Sequence, residues 1–137
     1  MKKLLIATTN PGKLTEIKRF LGDLPIELVG LKDIGIADTV EETGKTFEEN
    51  AILKANYYYK KSGLPTLADD GGFEIDALGG EPGVRSHRWI DGTKESTDEE
   101  LIEYTLLRLK DVPLQGREAQ LRLVVAYVTP DGGVQTA

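Results

Sequence analysis

KKLLIATTNPGKLTEIKRFLG, residues 2–22, changes its period in the middle. Residues 2–9 are a short apolar run rising out of two lysines, the pattern of a buried strand. Asn10–Pro11 then supplies a helix start, with Asn as N-cap and Pro at the first helical position, where no N–H is needed. Behind it Leu14, Ile17 and Leu21, with Phe20 beside them, share one helical face, and Gly22 closes the segment. A strand that runs directly into a helix is the opening unit of an α/β chain.

The alternation continues outward from there. IELVG (26–30) predicts a second strand, and residues 31–45 a loop that ends in acids. T-F-E-E (46–49) predicts a capping box, with Thr46 as N-cap and Glu49 at N3, opening a helix to about Ser62 that Gly63 and Pro65 stop. TLAD is expected as a third strand and GFEIDAL as a fourth, with the Gly71–Gly72 pair between them. PGVRSHRW (82–89) reads as extended chain after the LGGEPG turn. T-D-E-E (97–100) is a second capping box, whose helix should turn Leu101, Tyr104 and Leu107 inward. AQLRLVVAYVT (119–129) is a long strand and PDGG (130–133) a hairpin turn. Only VQTA follows, so the long strand would keep an open edge, which natural sheets cover or pair. On that ground the C-terminus reads as cut.

At 137 residues the chain is expected to form one domain over 1–137, large enough to bury a core. With 39% apolar and 29% charged residues it falls in the soluble globular range. The absence of cysteine excludes disulfides, thiolate chemistry and Cys-based zinc sites. The apolar run at the N-terminus is too short for a signal segment, and no stretch approaches a membrane span, so a cytoplasmic protein without a membrane partner is expected. A net charge of −6 argues against nucleic acid as partner, but a nucleotide needs only a few local cations, a helix N-terminus or a bound metal.

Four stretches carry candidate chemistry. In ATTNPGK (7–13) a strand ends in Thr8 and Thr9, and a helix begins at Asn10–Pro11 with Gly12 and Lys13 in its first turn. Free N–H groups, the dipole, hydroxyl donors and a lysine suit a phosphate, although a Walker A loop is absent and an ordinary capped helix looks the same. In VEETGKTFEEN (40–50), Glu48 and Glu49 are explained by the helix start, whereas Glu41 and Glu42 lie in the loop, free to reach a metal or simply solvated. In ADDGG (68–72) two like charges sit at a strand end. Alternation sends Asp69 and Asp70 to opposite faces, and Gly71–Gly72 allows a close approach of backbone or ligand, or else a turn. GVRSHRWIDG (83–92) gathers Arg85, His87, Arg88 and Trp89, as candidates for phosphate and base contacts, with Trp89 equally suited to a core. Anion cradle, acidic loop and strand-end aspartate together are the parts of metal-assisted phosphoanhydride hydrolysis, with Mg²⁺ as the expected ion.

ATTNPGK, EETGKTFEENAILKA and LADDGGFEIDALGGEPGVRS, in this order and spacing, resemble the inosine triphosphate pyrophosphatase family, the Ham1-like non-standard purine nucleoside triphosphate pyrophosphatases. The likeness covers essentially the whole chain. It implies an elongated mixed α/β fold, a twisted sheet with flanking helices, here C-terminally shortened, and a homodimer. It also implies Mg²⁺-dependent cleavage of ITP, dITP and XTP to monophosphate and pyrophosphate, removing them from the nucleotide pool. By position, Thr8, Thr9, Asn10, Pro11, Gly12 and Lys13 would hold the triphosphate, with Gly71 beside it. Asp70 would be general base and metal ligand and Glu41 a second ligand, a choice over Glu42 that the residues themselves leave open. Gly71 stands where the family usually has Ser, and the family's later GFGYDP-like, lysine and SHR-like elements do not follow. The alternatives are a non-catalytic nucleotide-binding or dimerisation module of the same fold, and a Maf-like pyrophosphatase, whose SASPRR-like start this chain lacks.

Overall fold

A computed structural model describes residues 2–137. β1 (Lys2–Ile6) leads to α1 (Pro11–Leu21), β2 (Ile26–Gly30), α2 (Phe47–Ser62), β3 (Thr66–Ile75), α3 (Asp98–Arg108), β4 (Ala119–Val128) and β5 (Val134–Thr136), with short 3₁₀ turns between. The five strands form one mixed sheet in the order β2-β1-β3-β4-β5. β1 is parallel to β2, with Leu4 opposite Leu28, and parallel to β3, with Ile6 opposite Leu67. β4 and β5 are antiparallel, closing the predicted hairpin. Because the chain leaves β1 for β2 on one side and returns to β3 on the other, the strand order reverses at β1 and β3. In open α/β sheets that reversal leaves a crevice at the carboxyl ends of the strands, where ligands bind.

The chain divides into two compact units, residues 1–70 with 124–137, and residues 71–123. The first unit has a core of Leu5, Ala7, Val29, Leu31, Ala51, Ala55, Tyr58, Ala68, Ala126 and Val128. Phe47, Ala51, Ala55 and Tyr58 of α2 recur at helical spacing, so the helix buries a single stripe. α1 is held more lightly: Leu14, Ile17 and Leu21 are half-buried, and Phe20 is 78% exposed, beside the buried face and not on it. The second unit packs Ile75, Trp89 and Leu109 with Leu78, Leu101, Tyr104 and Val112.

Several local expectations are corrected. TLAD and GFEIDAL are not two strands: β3 is continuous through Gly71 and Gly72, neither of which adopts a positive φ. Gly71 serves a close approach instead of a turn, since a Cβ there would stand 2.5 Å from the Arg122 carbonyl oxygen. Asp76–Leu78, expected within the fourth strand, is a 3₁₀ turn ended by left-handed Gly79. Gly83–Arg88 is likewise a 3₁₀ helix and not extended chain, with the Ser86 hydroxyl donating to the Gly83 carbonyl. Leu107 is 61% exposed, because at 3.6 residues per turn it lies about 90° from the centre of the stripe of Leu101, Tyr104 and Arg108. The box at Thr97 is complete, but at Thr46 only half forms: Thr46 accepts from the Glu49 N–H, while the Glu49 carboxylate accepts from Lys45 N–H.

Candidate active site

The carboxyl end of β1 and the middle of β3 bring the first and third candidate stretches together. Lys13, in the first turn of α1, reaches Asp69 with Nζ 2.7 Å from Oδ2. Asp70, the next residue, is associated instead with Glu42, Asn50 and Lys54 of the acidic loop and α2. The pleat therefore gives each aspartate a separate neighbourhood, as the alternation predicts. Asp69 is neutralised by a cation. Asp70 is not.

Both aspartates are nearly buried, at 7% and 8% exposure, so the difference lies in their partners. Burial raises the Asp70 carboxyl to about 6, and the negative charge of Glu42 pushes it the same way. The Asn50 amide and the Lys54 ammonium act in the opposite sense and do not restore the ordinary value. Asp70 Oδ2 and Asn50 Nδ2 are both buried without a hydrogen-bond partner of good geometry, although the Asn50 amide is close enough to lower the Asp70 carboxyl. Lys54 is committed to Glu42, with Nζ 2.9 Å from Oε1. A buried, unpartnered carboxylate oxygen beside a second carboxylate is costly on its own and suited to a hard cation.

The triphosphate candidates at the start of α1 fall into two groups. The Asn10 side-chain oxygen accepts from Gly12 N–H (2.9 Å) and Lys13 N–H (3.2 Å), so the helix caps its own first donors. Thr8 Oγ1 accepts from Asn10 N–H. What remains for an anion is the side-chain set, namely the hydroxyls of half-buried Thr8 and exposed Thr9, Asn10 Nδ2 and the Lys13 ammonium, on a side chain 42% exposed. Pro11 lacks a donor and fixes the helix start. Gly71 belongs to the second unit, and its space is taken by β4 backbone, which would have to shift to admit a side chain.

Glu41 is exposed and makes no side-chain hydrogen bond or ion pair among the described residues, whereas Glu42 stands next to Asp70. Asn50 and Lys54, absent from the sequence-based site, are the other neighbours. Their i,i+4 spacing in NAILKA was the available signal, since it puts both on one face of a capped helix. Trp89 belongs to the core of the second unit, 8% exposed, and Arg85, His87 and Arg88 are exposed around it. Among the described residues no group of three or more His, Cys, Asp or Glu side chains gathers for a metal. Two carboxylates with room for water and phosphate oxygens are what Mg²⁺ ordinarily takes from a protein. Among the described residues, no helix is long and apolar enough to cross a membrane.

Residues 4–137 match the Ham1 family. The chain is 45% identical over 131 residues to a dITP/XTP pyrophosphatase of Symbiobacterium thermophilum, and 42% identical over 128 residues to one of Photorhabdus laumondii. It aligns over 96% and 93% of its own length, and spans 64% of the length of each of these relatives. Its fold is similar to that of a HAM1 protein from Coxiella burnetii, with a TM-score of 0.88 and 37% identity, covering 99% of this chain and 68% of that one. It is also similar to a nucleoside-triphosphatase / dITP/XTP pyrophosphatase from Mycobacterium abscessus, with a TM-score of 0.83 and 39% identity, covering 98% and 70%. By its sequence over nearly all its residues and by its sheet, the chain belongs to the Ham1 family.

Proposed function

We propose that the protein hydrolyses non-standard purine nucleoside triphosphates, of the dITP, XTP and ITP class, to monophosphate and pyrophosphate. The observation that carries this reading is Asp70: nearly buried, raised to about 6, with an unpartnered oxygen and Glu42 beside it. A base with its pKa near the working pH is well matched to taking a proton from water. Asp70 orients the attacking water and accepts its proton as the new P–O bond forms. The anhydride bond between the α and β phosphates breaks, and pyrophosphate leaves. Asp70 and Glu42 would hold Mg²⁺, which supplies a positive charge for the phosphate oxygens that this acidic chain does not. Thr8, Thr9, Asn10 and Lys13 bind and orient the triphosphate from the start of α1. The same reading carries the homodimer implied by the resemblance, which light scattering checks.

Membership of the Ham1 family sets the Maf-like alternative aside. The binding-module alternative predicts nucleotide binding without turnover. Pyrophosphate release from dITP, XTP and ITP, with GTP as control, in Mg²⁺ and again in EDTA, separates the two. Metal-dependent release that favours the non-standard purines, and that Asp70→Asn abolishes, supports the enzyme. Binding of ITP with no release supports the module.

A further inference from the structure

Residues 37–43 of the acidic loop take part in no backbone–backbone hydrogen bond among the described residues. Side chains of α2 hold this segment and the two residues after it. Tyr57 Oη donates to Asp38 Oδ2 at 2.9 Å, Tyr58 Oη donates to the Asp38 carbonyl at 2.7 Å, and Lys61 Nζ pairs with the same carboxylate. Lys54 pairs with Glu42, Asn50 Oδ1 accepts from Gly44 N–H at 2.7 Å, and Glu49 Oε2 accepts from Lys45 N–H at 2.6 Å. The loop therefore runs antiparallel to the helix, with 38, 42, 44 and 45 meeting 57–61, 54, 50 and 49 in turn. At one end the fit is tight: a Cβ on Gly44 would stand 2.6 Å from Asn50 Oδ1 and 2.7 Å from Glu49 Cβ.

The other end is held in polar contact by Asp38, with the partly buried Ile36 and Val40 packed against the core on either side of it. Ala37 and Thr39 on either side are exposed, yet three side chains of α2 converge on this one residue, and Tyr58 among them is 2% exposed in the core. A core phenol has one proton to donate, and here it goes to a loop carbonyl rather than to water. Such an arrangement fixes where the loop starts its path along the helix. Glu42 comes four residues later, with Val40 packed on the core between them, and its position against Asp70 follows from the path these contacts set.

We infer that Asp38 is a positioning residue: held by Tyr57, Tyr58 and Lys61, it sets the register of loop 38–45 on α2 and so presents Glu42 to Asp70. This rests on the functional reading above, in which Asp70 and Glu42 form the cation site. Outer partners of metal-ligating groups act in this way, by fixing the ligand before the ion arrives.

The test compares Asp38→Ala and Tyr57→Phe with the parent chain in two measurements. One is amide hydrogen exchange at Gly44 and Lys45 without metal or nucleotide. The other is the Mn²⁺ dissociation constant from electron paramagnetic resonance. Asp38→Ala is expected to speed exchange at Gly44 and Lys45 about tenfold or more and to weaken Mn²⁺ binding about tenfold, with unchanged exchange at Leu5 and Ala7 in and beside β1. Tyr57→Phe should shift both in the same direction by less. General loosening of the fold would speed Leu5 and Ala7 too; in that event Tyr57→Phe, which removes one hydroxyl, gives the decision. The inference is overturned if exchange and Mn²⁺ affinity both stay within about twofold of the parent, or if exchange rises while affinity holds. Should Asp70→Asn leave Mn²⁺ binding unchanged, the cation site itself is wrong. Exchange then decides the anchor alone, local acceleration supporting it and no change overturning it.

Discussion

Glu81 in the second unit and Asp70 in the first are both carboxylates set beside a neutral N–H donor and a cation, and they end with opposite electrostatics. Glu81 accepts from Trp89 Nε1 at 3.2 Å and from Arg108 Nη2 at 3.1 Å, while the Arg108 guanidinium lies over the Trp89 and Tyr104 rings. The Trp89 hydrogen bond, and then that of Arg108, hold the Glu81 carboxyl below its ordinary value. Burial and Glu42 lift Asp70 to about 6, against a weaker pull from Asn50 and Lys54. A cluster that satisfies its own charge holds the fold together and asks for nothing further. One that buries a carboxylate oxygen without a partner keeps an unmet hydrogen-bonding demand, a feature that clusters at functional sites.

The strongest way to break this contrast is Asp70→Asn. A carboxyl whose pKa rises on folding binds its proton more tightly in the fold than in the unfolded chain. Its penalty is absent below the ordinary value of 3.8, grows as pH rises toward 6, and is full above that. Removing the charge should therefore stabilise the metal-free protein at pH 7.5 by on the order of 1–2 kcal/mol in urea unfolding, with the gain fading toward pH 4. Pyrophosphate release from ITP should fall at least about 100-fold in the same variant. A stable, inactive protein is the expected pair of results. Loss of stability at pH 7.5 would mean that Asp70 is satisfied after all.

The next effect separates the two loop glutamates. Glu42→Gln should cost roughly 10- to 100-fold in Mg²⁺-dependent turnover, and Glu41→Gln markedly less, because Glu42 is the neighbour of Asp70. The reverse order would put Glu41 at the cation, as the resemblance implies, and leave Glu42 as the partner of Lys54 alone.

Much of the first unit was legible because its signals are local. A capped start at Asn10–Pro11, a Thr46 cap with apolar spacing behind it, and left-handed Gly63 can all be read from neighbours in sequence. The errors lie where a distant segment decides. Gly71–Gly72 looks like a turn in isolation. It is extended because β4 passes so near that the Arg122 carbonyl occupies the place of a side chain. Gly83–Arg88 has too few residues for a helical period to show, and its 3₁₀ turns are held by Ser86. Of the candidate site, the residue types were readable, while which loop glutamate neighbours Asp70 was not. Two adjacent glutamates carry the same letters, and only the path of the loop along α2 distinguishes Glu42. The glycine makes its own prediction: Gly71→Ala should destabilise the protein by roughly 1–3 kcal/mol in thermal or urea unfolding, since backbone rather than a flexible side chain has to move. A neutral result would mean that β4 yields easily there.

The smallest effect belongs to the other side of the contrast. Glu81→Gln keeps an oxygen for Trp89 Nε1 and removes the ion pair with Arg108, whose two side chains are 48% and 32% exposed. A carboxyl lowered by its partners stabilises the fold above its ordinary value of 4.5 and loses that contribution as pH falls through its folded value. The substitution should thus lower the thermal midpoint slightly at neutral pH and low salt, and the loss should vanish both in acid and in concentrated salt. Mn²⁺ affinity should not change. At neutral pH the two substitutions then have opposite signs, Asp70→Asn stabilising and Glu81→Gln destabilising, although each replaces a carboxylate by its amide. If the signs agree, partner satisfaction does not distinguish the two clusters, and the case for a bound cation at Asp70 loses its electrostatic support.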